Sequence, residues 1–248
     1  TQTDPLFQSL LDSGVGNIVC GTEIGEIQQE IRECLSDQGM IRYAAKERPT
    51  RAGGQEHYRF DCRNVVVAVA GAQSRIGTTT IAIGLSAWLA RVGASVCYVE
   101  NHTDGHLAAL ARGYEMEVEA GGWQFEGVHY RSSEPKEDVN FVVYDLGSNL
   151  AGKRELLERA DIRLLVCGTK PYELGYTVRL QTSFAGVHAY LLCPFVEEGM
   201  KDDLAEALQN DYHKVMFAEY QPELTDSDCN GRQYKTMVAK YIMENRTA

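Results

Sequence analysis

The strongest constraint on the fold is a continuous apolar run, NVVVAVAG at residues 64–71, which is followed by a glycine- and threonine-rich turn and a helical pattern. Runs of β-branched residues without polar alternation are typical of central parallel strands buried on both faces. Similar runs, separated by segments with helical spacing, recur at residues 95–100, 140–147, 162–168, 187–193 and 214–220. Strands that alternate with helices need crossover connections, so the sequence predicts an α/β fold with a doubly wound, mainly parallel sheet.

A different pattern precedes this part of the chain. LFQSLLDSG predicts a short helix, and NIVC (17–20) predicts a buried strand. A second helix is expected over residues 23–36, with Thr22 as its cap. One face of that helix is apolar and should pack on a neighbour: Ile24, Ile27, Ile31 and Leu35.

The domain organisation follows from these changes of pattern. We predict a small αβα segment at 1–45, a linker at 46–63 and the main α/β domain at 64–248. Residues 46–59, KERPTRAGGQEHYR, are polar and hold a proline and adjacent glycines, as linkers commonly do.

Charge and cysteine content exclude some classes of function. The 248 residues carry a net charge of −11, from 24 basic and 35 acidic side chains, which disfavours non-specific DNA binding. The N-terminus resembles no secretory signal, and no apolar run has the length of a bilayer span. Seven cysteines, an odd number without a C-x-x-C pair, predict reduced thiols in a cytoplasmic protein.

The turn after the first strand carries the main functional signal. A loop that wraps a phosphate needs glycines, a helix N-terminus behind it, and a Ser or Thr hydroxyl for Mg²⁺. The segment GAQSRIGTTT (71–80) lies between a strand and a helix and meets these needs, but Thr78 stands where a lysine is usual. The predicted nucleotide-binding residues are Gly71, Gln73, Ser74, Arg75, Ile76, Gly77, Thr78, Thr79 and Thr80.

This layout resembles the MinD/ParA group of P-loop ATPases, whose loop has the pattern K-G-G-x-G-K-T-T. Aligned on Gly77, Gln73 replaces the signature lysine and Thr78 replaces the main lysine. Thr79 matches the Mg²⁺-binding position, and Asp145, at the end of VVYDLG, matches the Walker-B acid. The resemblance extends over about residues 64–243, and it implies a P-loop NTPase fold of the SIMIBI type.

Other motif positions depart from the family pattern. In ENHTDGHL, Glu100 and His102 stand where the family carries two aspartates, the second of which usually positions the attacking water. Residues 160–174 resemble the family's strand and loop near the nucleotide, but Cys193 and Pro194 follow where an asparagine is common. The CpaE/TadZ branch is the nearest in layout, with residues 5–38 as the tail of a receiver-like domain.

The resemblance implies ATP or ADP with Mg²⁺ as cofactor, a homodimer, and protein partners in a localisation or pilus or secretion assembly. Because both lysines and one aspartate are replaced, we expect ATPase activity to be slow or absent. Arg75 is the candidate substitute cation. A pseudo-ATPase scaffold that binds only protein partners is the alternative from another class of function.

Three further groups have both a functional and a structural interpretation. His102, Asp104 and His106 could bind a metal or form a solvated loop, and the loop is favoured. The aromatic run at 123–130 could form a binding face or an edge strand, and strand packing is favoured. The last helix, with Tyr234 and Met237 in its apolar stripe, could lie on a membrane surface, but packing against the sheet is favoured.

Overall fold

The computed structural model describes residues 7, 10, 15, 17–36, 57–136, 138–221, 223–226 and 228–243. The chain forms two compact units, Thr1–Glu56 and His57–Ala248. The division between them falls inside the segment predicted as a linker, and the limits 1–45, 46–63 and 64–248 remain a prediction.

In the first unit, helix α1 (Ile24–Cys34) begins with a capping box. Its N-cap is Glu23, whose carboxylate accepts from the backbone of Glu26 while the Glu26 carboxylate accepts from the backbone of Glu23. Thr22 as the cap was therefore wrong, because the reciprocal pair of glutamates satisfies the first backbone donors. Of the predicted first helix, Phe7 and Leu10 are helical, and the rest lies outside the described residues.

The predicted buried strand at 17–20 was also wrong. These residues form no strand, and Val19 is 45% exposed. The described part of this unit offers them no second strand to pair with. Instead, Cys20 and Gly21 donate their backbone N–H groups to the buried carboxylate of Glu30 at 2.8 and 2.7 Å. The apolar stripe of α1 is largely exposed, with Ile24 75% and Leu35 81% accessible.

The second unit is built on one nine-stranded sheet. Its strands are β1 (Val65–Gly71), β2 (Val96–Glu100), β3 (Glu117–Glu119), β4 (Gly122–Phe125), β5 (Val128–Arg131), β6 (Phe141–Asp145), β7 (Ile162–Val166), β8 (Ala189–Cys193) and β9 (His213–Phe217). Its α-helices are α2 (Thr78–Arg91), α3 (His106–Gly113), α4 (Arg154–Arg159), α5 (Leu174–Ser183), α6 (Lys201–Leu208) and α7 (Gly231–Val238). Two 3₁₀ turns, Glu198–Met200 and Ala239–Tyr241, adjoin α6 and α7.

The strand order is β3-β4-β5-β2-β6-β1-β7-β8-β9. All pairs from β5 to β9 are parallel, and β3 and β4 add an antiparallel edge. The predicted doubly wound, mainly parallel sheet is confirmed. Alternate residues of β1 face opposite layers: Val67 and Val69 pack with α2, α3 and α7, whereas Ala68 and Ala70 pack with α4, α5 and α6.

The aromatic segment 123–130 forms a hairpin rather than a single edge strand. Glu126 and Gly127 both have positive φ, 47° and 79°, as the turn between two tightly joined strands requires. Strand β5 then pairs in parallel with β2, so it lies inside the sheet. The last helix packs in the core as favoured, with Tyr234, Met237 and Val238 between 0% and 3% exposed. In the part of the chain that the structure describes, no helix is long and apolar enough to cross a bilayer.

Candidate functional site

The site lies where three neighbouring parallel strands end. In the sheet register, Val69 of β1 is paired with Asp145 of β6, and Asp145 is paired with Glu100 of β2. The loop that follows Gly71 therefore starts beside two carboxylates. Ligands of open α/β sheets bind at this carboxyl edge, because the loops and helix N-termini converge there.

The loop between β1 and α2 contains two residues with positive φ. Gly77, the N-cap of α2, has φ of 95°, and Arg75 has φ of 62°. The first of these conformations favours glycine and lets α2 begin directly at Thr78. At Gly71, a Cβ atom would clash with Oγ1 of Thr78 and lie 3.0 Å from Cγ2 of Ile76, so a side chain here would force these neighbours to shift. The loop thus presents the N-terminus of a helix, with its unpaired N–H groups and positive dipole end.

The two positions that lack lysine are occupied by side chains with partners in the protein. Gln73 donates from Nε2 to Oε1 of Glu173 at 3.1 Å. Thr78 is buried, 7% exposed, and its hydroxyl lies against Gly71. Arg75 is exposed at the tip of the loop, and Ser74 shares a hydrogen bond with Ser148 at 3.1 Å.

Asp145 is the centre of the polar network and is fully buried. Its Oδ2 atom accepts from the Tyr98 hydroxyl at 3.0 Å and contacts Nε2 of His102 at 3.2 Å, and its Oδ1 accepts from the Gly147 N–H at 3.0 Å. The nearby Thr79 side chain is a further group that lowers the pKa of this carboxylate. Burial alone would raise the pKa of Asp145, but these bonds outweigh it, so its pKa lies below the ordinary value and Asp145 is ionised.

The structure thus brings Thr79 and Asp145 together as the pair predicted to hold Mg²⁺. Hydroxyl and carboxylate oxygens are ligands of the type that Mg²⁺ prefers, so the two side chains fit that ion.

Glu100 and His102 face the same network. Glu100 is 7% exposed, and its Oε1 accepts the Leu107 N–H at 3.0 Å near the start of α3. The His102 side chain, 5% exposed, lies between Asp145 and Glu100, whose Oε1 is 3.8 Å from Nε2. The hydrogen bond to Asp145 raises the pKa of His102, although burial opposes the shift. His102 therefore lies at the carboxyl edge of the sheet, engaged by the buried acid.

Three functional neighbours were missed by sequence reasoning. Tyr98 lies two residues before Glu100 on β2. Because side chains alternate along a strand, the two face the same side, and this spacing could have identified Tyr98 from the sequence. Lys153 donates from Nζ to the carbonyl of Leu146 at 2.8 Å, and burial lowers its pKa while Asp145 and Asp104 oppose that shift. Glu173 also accepts the Lys170 N–H at 3.0 Å. Nothing local in the sequence marks Lys153 or Glu173. Cys193, which stands where the resembling family commonly has an asparagine, is buried at the end of β8.

Comparison with solved structures agrees with this geometry. A plasmid partition protein from Borrelia burgdorferi B31, bound to AMPPNP, is similar over 71% of this chain and 97% of its own, with a TM-score of 0.50 and 10% identity. The MinC:MinD cell division protein complex of Aquifex aeolicus is similar over 73% of this chain and 98% of that one, with a TM-score of 0.50 and 12% identity.

The chain has the MinD/ParA-type P-loop fold. At this level of identity the likeness covers the fold, and the side chains of the site have to be judged by their own contacts. No protein-family model matches the sequence, and the search of curated proteins found no significant match.

Proposed function

We propose that this protein binds a nucleotide, ATP or ADP with Mg²⁺, in an atypical and weak manner at the loop of residues 71–80. One observation carries the proposal: the loop ends in a helix N-terminus capped by Gly77, and the ionised Asp145 lies beside Thr79 at that terminus, where Thr79 helps to lower its pKa. Backbone N–H groups bind phosphate without any lysine, and a hydroxyl beside a carboxylate suits Mg²⁺.

Weak binding follows from the residues that replace the two lysines. Neither Gln73 nor Thr78 brings a positive charge, and Gln73 is bonded to the carboxylate of Glu173. Arg75 is the candidate substitute cation, because it is exposed at the loop tip and its guanidinium suits a phosphate.

Slow or absent hydrolysis follows from the surroundings of His102. Phosphoryl transfer depends on positive charge around the transferring group and on a residue that orients the attacking water. The contact between Nε2 and Asp145 Oδ2 at 3.2 Å engages the His102 ring, and an imidazole has no carboxylate oxygen with which to accept from water as an aspartate does. His102 therefore does not orient the attacking water as an aspartate at this position would, and hydrolysis should be slow or absent.

In the cell, this protein would act as a homodimer that positions a larger protein assembly, a role that rests on the resemblance to MinD/ParA proteins of the CpaE/TadZ type. The rival function is a pseudo-ATPase scaffold that binds protein partners only. The network around Asp145 favours that rival in one respect, since the carboxylate already has three hydrogen-bond partners without any ion: Tyr98, His102 and Gly147.

A thermal titration separates the two functions. A ligand that binds the native state raises the melting temperature as its concentration exceeds the dissociation constant. We expect ATP·Mg²⁺ and ADP·Mg²⁺ at millimolar concentration to raise it, and Arg75→Ala to remove most of the shift. An unchanged melting temperature in the wild type supports the scaffold, and a full shift in Arg75→Ala removes the role of Arg75.

A further inference from the structure

The connection from β2 to α3 gathers three side chains that bind transition metals. Glu100 is the last residue of β2, His102 lies in the loop, and His106 is the first residue of α3. One ligand atom from each lies within 4.8 Å of the others. The two imidazole rings are 5.4 Å apart between their centroids.

The spacing is close to that of a coordination shell. Ligand atoms about 2.1 Å from a tetrahedral ion are separated by about 3.3 Å from one another. The three side chains therefore need to move by about 1 Å, which a rotation of the exposed His106 can supply.

Two of the three ligands are already oriented. The Leu107 N–H fixes the Glu100 carboxylate through Oε1 at 3.0 Å. Asp145 fixes the His102 ring at 3.2 Å, and Asp104 lies 3.5 Å from its Nδ1. A carboxylate behind a histidine is common at protein metal sites because it orients the ring. Asp104 holds that place at Nδ1, so the ligand atom is Nε2, which lies 3.8 Å from Glu100 Oε1, and the ion would displace the hydrogen bond from Nε2 to Asp145.

We propose that Glu100, His102 and His106 bind one transition-metal ion of the Zn²⁺ or Co²⁺ class at the carboxyl edge of the sheet. Two imidazoles with one carboxylate suit these ions, whereas Mg²⁺ prefers oxygen ligands. Three protein ligands leave one position for water or for an anionic oxygen. This site is distinct from the Mg²⁺ pair of Thr79 and Asp145, and it needs no nucleotide.

The test uses the full chain without a histidine tag and with Co²⁺ as the probe. Titration without nucleotide should show one equivalent bound, with a visible absorption spectrum of a four- or five-coordinate nitrogen and oxygen site. A strong near-ultraviolet thiolate band would assign the ion to cysteines and overturn the proposal. Excess Mg²⁺ should leave the bound Co²⁺ in place, and its displacement by Mg²⁺ would also overturn it.

A pair of variants locates the ion. His106→Ala changes an exposed residue and should weaken Co²⁺ binding by at least about tenfold, since even residues that only orient ligands contribute about that factor. His188→Ala is the control. It changes an exposed histidine directly before β8, at the other edge of the sheet, and this variant should bind Co²⁺ as the wild type does. Equal affinity in His106→Ala and the wild type, or no Co²⁺ binding by the wild type at millimolar concentration, would refute the site.

Discussion

His102 Nε2 lies 3.2 Å from Asp145 Oδ2, and this contact joins the loop after β2 to the end of β6 at the carboxyl edge of the sheet. Asp145 ends β6, and His102 lies two residues beyond the end of the neighbouring parallel strand β2. Their contact is nearly sealed from solvent, since the His102 side chain is 5% and the Asp145 side chain 0% exposed. In this chain His102 is therefore a partner of the buried, ionised Asp145.

Substitution of Tyr98 measures how strongly the network holds Asp145. Tyr98→Phe removes the hydroxyl that donates to Oδ2 at 3.0 Å and leaves the ring in the core. Because a buried carboxylate then loses one donor, we expect the free energy of unfolding to fall by about 1–3 kcal/mol in urea denaturation. Tyr130→Phe is the control, since Tyr130 is equally buried and contacts Tyr98 but is not among the described partners of Asp145. Equal losses in both variants would count against the network.

The tight contact at the start of the loop gives a second prediction. In Gly71→Ala the new Cβ would lie 2.1 Å from Thr78 Oγ1 and 3.0 Å from Ile76 Cγ2. We expect a loss of about 1–3 kcal/mol in unfolding free energy from overpacking, part of which Thr78→Ala should restore in the double variant. Gly175→Ala, where a Cβ meets nothing within 4 Å, should be neutral or slightly stabilising. Strict additivity of the two loop variants would contradict the clash.

The hairpin next to β2 should lose stability in acid. Burial raises the pKa of Glu119, but hydrogen bonds from His129 and Arg131, both 2.8 Å long, outweigh it and hold the pKa below its ordinary value of 4.5. A depressed pKa stabilises the fold above pH 4.5 and ceases to do so as the pH falls through the lower value in the folded state.

Glu119→Gln should therefore cost about 1 kcal/mol at neutral pH, and the difference from the wild type should disappear below the folded-state pKa. Urea denaturation of both proteins across this pH range measures it. If the difference in unfolding free energy between the two proteins stays constant down to the lowest pH measured, the charge of Glu119 has no part in the effect.

The carboxylate beside the loop should weaken nucleotide binding. Glu173→Gln keeps the shape of the side chain that accepts from Gln73 but removes a negative charge next to the phosphates. We expect the affinity for ATP·Mg²⁺ to rise about two- to fivefold, because removal of one partly solvated negative charge near the loop weakens the repulsion of an anionic ligand by about that amount. Glu206→Gln, the same change at an exposed position of α6, serves as control. An unchanged or lower affinity in Glu173→Gln alone would contradict the proposed electrostatic effect.

Much of the fold was predictable because its signals are local. The run at 64–71 and its counterparts are long enough for their period to identify buried strands, and the loop at 71–80 is contiguous. Strands β3 and β4 span only three and four residues, too few for a period to be recognised. The strand expected at 17–20 failed because strand formation depends on a partner strand, which a single segment does not reveal.

The site was predictable only in part for a similar reason. Gly71, Gly77, Thr79 and Asp145 belong to patterns with fixed spacing. The contacts that define their environment, from Tyr98, Lys153 and Glu173, join residues up to 100 positions apart, as with Gln73 and Glu173. The closeness of Glu100 to the two histidines also depends on how the loop folds over the end of β2.

Calorimetric titration of ATP·Mg²⁺ into the untagged wild-type protein tests the central claim most directly. The account predicts saturable binding of one nucleotide per chain with a dissociation constant of about 0.1–5 mM, because helix N-terminus, hydroxyl and carboxylate are present but the lysines are absent. The heat should be largely lost in Arg75→Ala. Absence of saturable heat in the wild type at these concentrations would contradict the claim and leave the scaffold function.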